Sequence, residues 1–336
     1  LAVIATRFGP VTGVTAHPAG LSEGGDLDHV QALSVPGLVR KSFEVTERHF
    51  PFGPSVDTFP PTDEPPPSAV SWAAFAAQLR STGQAGGHGC HFTGDGGDNL
   101  FLPPPTHLVT LVRNRRWMKM WNDACAWARL RRQAPWPYVR AALFHDVASL
   151  ARSAPCAPPW LLSSAPARPR PTDADEALIF LVNSVARAAA SDIQLADHVG
   201  VEQHNPYFDG AVLDAVVSLP AADRFSAHRY KPALMDAVGG LLPTSVRERT
   251  TKGSFVRDYH RAVRVHLDRV LAMCEGPLVE AGLVDTVRLR STVHAAALGV
   301  RVPWAHLLTT MGAHLWWRAV QKAPTPGWSV MRGAIL

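Results

Sequence analysis

The apolar positions of this chain change rhythm near residue 105. Before it, short runs alternate between helical and strand periods. "LAVIATRF" (1–8) suits a helix and "VTGVTAHP" (11–18) a strand, while "DLDHVQALSV" (26–35) reads as a helix opened by Asp26 as N-cap. "KSFEVTERHF" (41–50) is strand-like, with Phe43 and Val45 on one face. A polar, proline-rich loop, "PPTDEPPPS" (60–68), leads into "AVSWAAFAAQLRSTG" (69–83), a helix ended by glycine. "GCHFTG" (89–94) is the next strand. Strands and helices in turn predict a parallel sheet covered by helices. Ligands of such sheets gather at the carboxyl ends of the strands.

After Pro105 the pattern is helical. "HLVTLVRNRRWMKMWNDACAWARLRRQ" (107–133) reads as one long helix, and "SAPCAPPWLLSSAPARPRPTD" (153–173) as linker or loop. Helical periods then recur at 176–200, 210–220, 230–242, 259–274 and 304–320. No internal repeat is evident. The expected organisation is an α/β portion over 1–110, a helix plus proline-rich linker over 111–172, a helical portion over 173–325 and a tail over 326–336.

At 336 residues, with 46% apolar and 18% charged residues, the chain can bury a substantial core and is not intrinsically disordered. No run of about eighteen uncharged apolar residues occurs, so no membrane span is expected, and no signal peptide opens the chain. Cys90, Cys125, Cys156 and Cys274 are scattered without a CxxC pair, which suggests a reduced, cytoplasmic protein. The formal net charge of +5 fits nucleotide, acidic peptide or nucleic acid alike. Lysines are few (Lys41, Lys119, Lys231, Lys252 and Lys322), so one beside an unusual loop stands out.

That loop is Gly94-Asp95-Gly96-Gly97-Asp98, between the strand "GCHFTG" and a helix begun by "DNLF". Two carboxylates this close repel unless a positive group lies between them. Glycines let backbone N–H groups turn toward phosphate oxygens, and phosphate-bound Mg²⁺ takes one or two carboxylates. A plain surface turn accounts for the same residues.

Three ordered stretches bear on the choice. "TGDGGDNLF" (93–101), "PYFD" (206–209), and Leu242-Pro243 with Arg249 and Lys252-Gly253-Ser254-Phe255 together resemble the asparagine synthetase-like family of ATP-dependent amide-forming enzymes. The variants "GDGGDNLF", "TDEP" and "RTTKGSF" look most like its lasso-peptide macrolactam synthetases. The resemblance implies an adenine-nucleotide-hydrolase-like (ATP pyrophosphatase) α/β domain followed by a mainly α-helical domain. It also implies adenylation of a carboxylate by ATP, then attack by an amine.

At matching positions the resemblance implies that Asp98 holds Mg²⁺ and that Thr93 and Gly94 line the ATP site through their backbone. Asp95 would handle the amine's proton or orient the acyl group, Lys252 would stabilise pyrophosphate and the oxyanion, and Val14 and Thr15 would contact adenine. Each has a plainer reading. Asp95 can cap a turn, Lys252 can be a solvated surface lysine, and Val14 and Thr15 can be strand core. Asp209 reads as a structural turn residue and Lys231 as a lysine running along a helix, outside the catalytic set.

The implied partners are a precursor peptide or a small carboxylate and amine, with a possible leader-peptide-binding protein and leader peptidase; neither nucleic acid nor membrane is expected. The family's phosphate loop, Ser-Gly-Gly-x-Asp-Ser-Ser, and its first strand are not in the sequence. The expectation is that they lie upstream of Leu1 and that this stretch alone has little adenylating activity. Asparagine or β-lactam synthesis, and an inactive peptide-binding relative, are the competing readings.

Other features are weaker. On a strand His91 faces away from His88 and Cys90, which argues against zinc. "RNRRWMKMW" (113–121) mixes arginine and tryptophan as single-strand binders do, or simply has one solvated and one buried helix face. Trp304, Leu308, Met311, Leu315 and Trp316 read as the core side of a helix.

Overall fold

The computed structural model describes residues 2–18, 30–31, 33–83, 90–102, 104–151, 158–162, 171–224, 226–247 and 256–323. A short helix α1 (Ala2–Ala5) precedes β1 (Val11–Pro18), which pairs in parallel with β2 (Leu38–Val45) from Val11↔Leu38 to Pro18↔Val45. Helix α2 (Trp72–Gly83) packs on both strands. A second parallel pair joins β3 (Cys90–Phe92) to β4 (Glu202–His204). The parallel pairing matches the sequence pattern. The single sheet it suggested is instead two two-stranded ladders among the described residues. The expected helix opened by Asp26 falls mostly outside the described residues.

Helix α3 (Gly97–Phe101) follows β3 directly. Next come α4 (His107–Arg113), α5 (Trp117–Arg131), α6 (Trp136–Leu143) and α7 (Val147–Ala151). The single helix expected over 107–133 is thus broken into α4 and α5. At the break Arg115 takes φ +55°, and the Arg116 N–H donates to the Leu111 carbonyl at 2.8 Å. Arg132 (φ +53°) and His145 (φ +54°) end α5 and α6 the same way, with Gln133 N–H on Ala128 and Asp146 N–H on Ala141. Such left-handed closures normally use glycine, which is why sequence periodicity missed the first one. The result is compaction: Leu108, Leu111, Met120, Ala124, Val139 and Leu150 meet in one buried cluster.

The long α8 (Ala174–His198) is capped by Asp173, whose side chain accepts from the N–H groups of Asp175 and Glu176. By length and composition alone α8 could cross a membrane. It packs against α2, α3, α4, α7 and β4 and carries Arg187 and Asp192. Beyond β4 come α9 (Gly210–Val217), α10 (Ala221–Arg224), α11 (Pro232–Val238) and α12 (Thr244–Arg247). They are followed by α13 (Val256–Val265), α14 (Leu267–Met273), α15 (Pro277–Glu280), α16 (Thr286–Ala297) and α17 (Trp304–Lys322).

The largest core cluster draws on Phe50, Phe52, Val70 and Trp72 as well as Val263, Val293, Leu307, Met311 and Leu315. On α17, Met311 and Leu315 are buried and Trp304, Leu308 and Trp316 pack at the cluster's edge, the stripe its spacing predicts. Within the proline-rich passage read as linker, Trp160 is fully buried and its indole N–H donates to Thr310 Oγ1 at 3.0 Å. An indole supplies a large apolar area, and one such residue suffices to pin a loop to the core.

Candidate active site

The acidic hinge lies at the carboxyl end of β3, where parallel strands present ligands. Two aromatic rings explain its glycines. A Cβ on Gly96 would stand 2.6 Å from the Phe208 ring, and Gly96 has φ +81°. A Cβ on Gly97 would stand 2.9 Å from the Tyr207 ring. The "PYF" turn (Pro206–Phe208) therefore seats directly on the hinge, as its place after β4 dictates. Beneath, Leu100 and Phe101 are buried against Leu178, Val182 and Val216, with Phe101 and Tyr207 edge-to-face at 5.4 Å. Burying each such side chain contributes about 1.5–3 kcal/mol, so α3 is a firm support for Asp98.

Asp98 sits in the first turn of α3, and its Oδ1 meets Lys231 Nζ at 2.8 Å. Lys231 was expected to run along a helix surface. It instead precedes α11 as its N-cap, with φ +46°, and Pro232 begins the helix. The left-handed backbone turns its side chain back across Gly97, where it is only 16% exposed; the Asp98 side chain is 45% exposed. Lys231 thus supplies a positive partner to Asp98, one of the two neighbouring carboxylates.

Thr93 organises the other acid. Its hydroxyl lies 2.7 Å from both Asp95 Oδ2 and Asn205 Oδ1, while Asp95 N–H donates to it at 3.3 Å. One hydroxyl proton cannot serve two acceptors. The conflict at the hydroxyl is resolved when Asn205 presents its NH₂ to Thr93 and Thr93 donates to Asp95; the amide oxygen then takes the buried position in which Nδ2 had no partner. The Thr93 N–H is committed to the ladder, donating to the His204 carbonyl at 3.0 Å, and Gly97 N–H donates to the Gly94 carbonyl at 3.1 Å. The expectation that Thr93 meets ATP through its backbone therefore narrows to its carbonyl.

A third carboxyl, unnoticed in the sequence, lies on α8. Asp192 is buried and accepts a hydrogen bond from the Ser68 hydroxyl. Burial pushes its carboxyl up to about 7; the Ser68 hydroxyl lowers it, and the charge of Asp95 raises it further. The loop bearing Ser68 is tied along α8, with Asp63 N–H donating to Gln194 at 2.9 Å and Glu64 paired with Arg187. The only sequence signal for Asp192 is an acid inside an alanine-rich helix face.

The structure thus brings Thr93, Gly94, Asp95 and Asp98 together with Lys231. Val14 and Thr15 lie half-buried on β1, paired with Lys41 and Ser42, and no hydrogen bond or ion pair of the described residues joins them to the hinge. Lys252, Arg249 and His88 lie outside the described residues. Asp209 caps α9 by accepting from Ala211 N–H at 2.9 Å, the structural role its motif suggested. His91 bonds Gln203, and no group of three metal-capable side chains occurs among the described residues. The family model described as asparagine synthase matches residues 57–318, well over half of the chain. No curated protein matches it.

Proposed function

The chain belongs to the asparagine synthase family, and from that premise we propose that it closes an amide bond within a peptide. Membership carries ATP-dependent, amide-forming ligase chemistry in general terms. The finer reading is macrolactam closure, joining a peptide's amino terminus to a side-chain carboxylate. One carboxylate oxygen attacks the α-phosphorus of ATP, and the bond from that phosphorus to the bridging oxygen breaks, releasing pyrophosphate. The amine nitrogen then attacks the activated carbonyl, the acyl–oxygen bond breaks, AMP leaves and the amine gives up a proton.

The observation that carries this reading is the Asp98–Lys231 contact at 2.8 Å on a hinge at the end of a parallel strand. A triphosphate brings several negative charges, and a lysine is a point cation suited to them. The donor set fits magnesium of the phosphate-bound kind. No protein cage of three acids gathers among the described residues, and Mg²⁺ held with phosphates takes one or two carboxylates and completes its shell from phosphate and water. Asp98 would hold it, with Asp95 as the nearby second acid; when bound, the ion neutralises phosphate charge.

Lys231 is then free to pair with phosphate oxygens once Asp98 turns to the metal. Asp95, held by Thr93, orients the acyl group or accepts the amine's proton. Lys252 would stabilise the oxyanion, and Val14 and Thr15 would contact adenine. Positioned charges of this kind are usually the largest catalytic contribution. The test is mass spectrometry of a precursor peptide incubated with the full-length protein and ATP. Loss of one water with one AMP released per ring supports closure. An unchanged mass, or product only with free ammonia, refutes it.

A further inference from the structure

Helices α4 to α7 hold more positive charge than the whole chain. Residues 107–151 contain seven arginines and Lys119 against two aspartates, whereas the complete sequence sums to +5. Both aspartates are occupied internally. Asp123 is paired with His107 at 3.0 Å and Lys119 at 3.2 Å, and Asp146 caps α7 by accepting from Ser149 N–H at 3.0 Å. Arg115, Arg116, Arg129, Arg131, Arg132 and Arg140 form no ion pair among the described residues. Arg187, Arg229, Arg261, Arg269, Arg288 and Arg290 each meet a carboxylate.

The same helices open a cavity of about 1100 Å³, lined by Pro104, Trp127, Arg131, Trp136, Arg140 and Phe144 among others. Its size reaches past the roughly 300–1,000 Å³ of small-molecule pockets. Trp136 is 65% and Phe144 76% exposed, Arg140 lies 5.9 Å from the Phe144 ring, and Trp121 extends the aromatic surface at 5.4 Å from Trp136. Trp127 is nine-tenths buried, and its indole N–H has no acceptor among the described residues.

We infer that this groove binds an acidic peptide segment bearing aromatic or aliphatic side chains. Unpaired arginines supply the charge complement, the exposed rings and proline rim supply apolar seats, and the Trp127 N–H offers a donor to a carbonyl or carboxylate. A nucleic acid strand matches the charge but brings no aliphatic groups for a floor of Val139, Leu143 and Leu150. The rim is also close to the chemistry. Pro104 follows Asp98 by six residues, so it lies within roughly 22 Å of it whatever the path. Calling the bound segment part of the ligase substrate rests on the function proposed above; the binding itself does not.

The experiment is fluorescence anisotropy without ATP. The probe is a labelled peptide of roughly a dozen residues, long enough to span that distance, alternating Asp or Glu with Phe, Trp and Leu. A lysine-for-acid counterpart and a single-stranded oligodeoxythymidine of matched charge are the controls. Wild-type protein should bind the acidic peptide in preference to both. Arg131→Glu/Arg140→Glu and, separately, Trp136→Ser/Phe144→Ser should weaken it about tenfold or more, with circular dichroism confirming the fold of each variant. Failure of the wild type to bind the peptide, equal binding by the variants, or tighter binding of the oligonucleotide overturns the inference. Variant-sensitive binding from a protein that never releases AMP would sink the ligase reading and leave this one standing.

Discussion

Lys231 Nζ rests 2.8 Å from Asp98 Oδ1, linking the acidic hinge to a helix N-cap 133 residues later. The contact depends on two backbone features, the hinge glycines that admit the "PYF" turn and the left-handed Lys231 that aims back across Gly97. Because the Asp98 side chain is nearly half exposed, the pair contributes little to folding. Its consequence is catalytic. Lys231→Met should lower AMP formation by about 10²-fold or more, as removing one transition-state donor does, with little change in melting temperature. Lys231→Arg should recover part of the loss. A Met variant with wild-type turnover in a steady-state AMP assay would contradict the role.

Gly96 provides a structural counterpart. Gly96→Ala meets the Phe208 ring at 2.6 Å and keeps a φ of +81°, so it should destabilise the protein by about 2–4 kcal/mol in urea denaturation. Adding Phe208→Leu should restore the packing part and leave the backbone part. Full stability of Gly96→Ala alone would show that the turn does not seat on the hinge.

These residues show what the sequence could and could not reveal. The hinge, the "PYF" turn, β1 and residues 41–45 of β2 are legible because local chemistry, glycine content and alternation, mirrors their structure. The strand expected to run on to residue 50 instead ends at Val45 and gives way to a 3-10 turn at Glu47–His49. Lys231 was misread because helical periodicity around "YKPALM" conceals a left-handed cap just before Pro232. The break at Arg115 was hidden for the same reason, since an arginine stands where glycine signals a stop. Asp192 and Ser68 lie 124 residues apart and meet only through tertiary packing, which no local pattern encodes. The split into two ladders reflects long-range pairing of the same kind.

Asp192 makes stability depend on pH. Burial raises its folded carboxyl to about 7, above the ordinary carboxylate value, so the folded chain binds the extra proton between roughly pH 4 and 7. Stability therefore falls as pH rises through that window. Asp192→Asn, which keeps an oxygen for Ser68, should match wild type near pH 4 and melt progressively higher than it toward pH 8. Parallel melting curves across the range would contradict this.

His314 acts in the opposite direction. Its imidazole is buried over Gly276, and burial, aided by the charge of Arg318, lowers it to about 4. The unfolded chain takes up the proton first, so stability is lost as pH falls from about 6.5 to 4. His314→Leu should leave the melting temperature near pH 7.5 almost unchanged and reduce the drop at pH 5. An equal drop in both proteins would exclude His314 as the cause.

The most direct test is ATP–pyrophosphate exchange by the full-length protein in the presence of a carboxylate peptide, comparing wild type with Asp98→Ala and Lys231→Met. Exchange by the wild type, reduced about 10²-fold or more in each variant, is the expected result. Undiminished exchange in both would mean that the hinge pair does not handle the triphosphate, and the proposed site would be wrong.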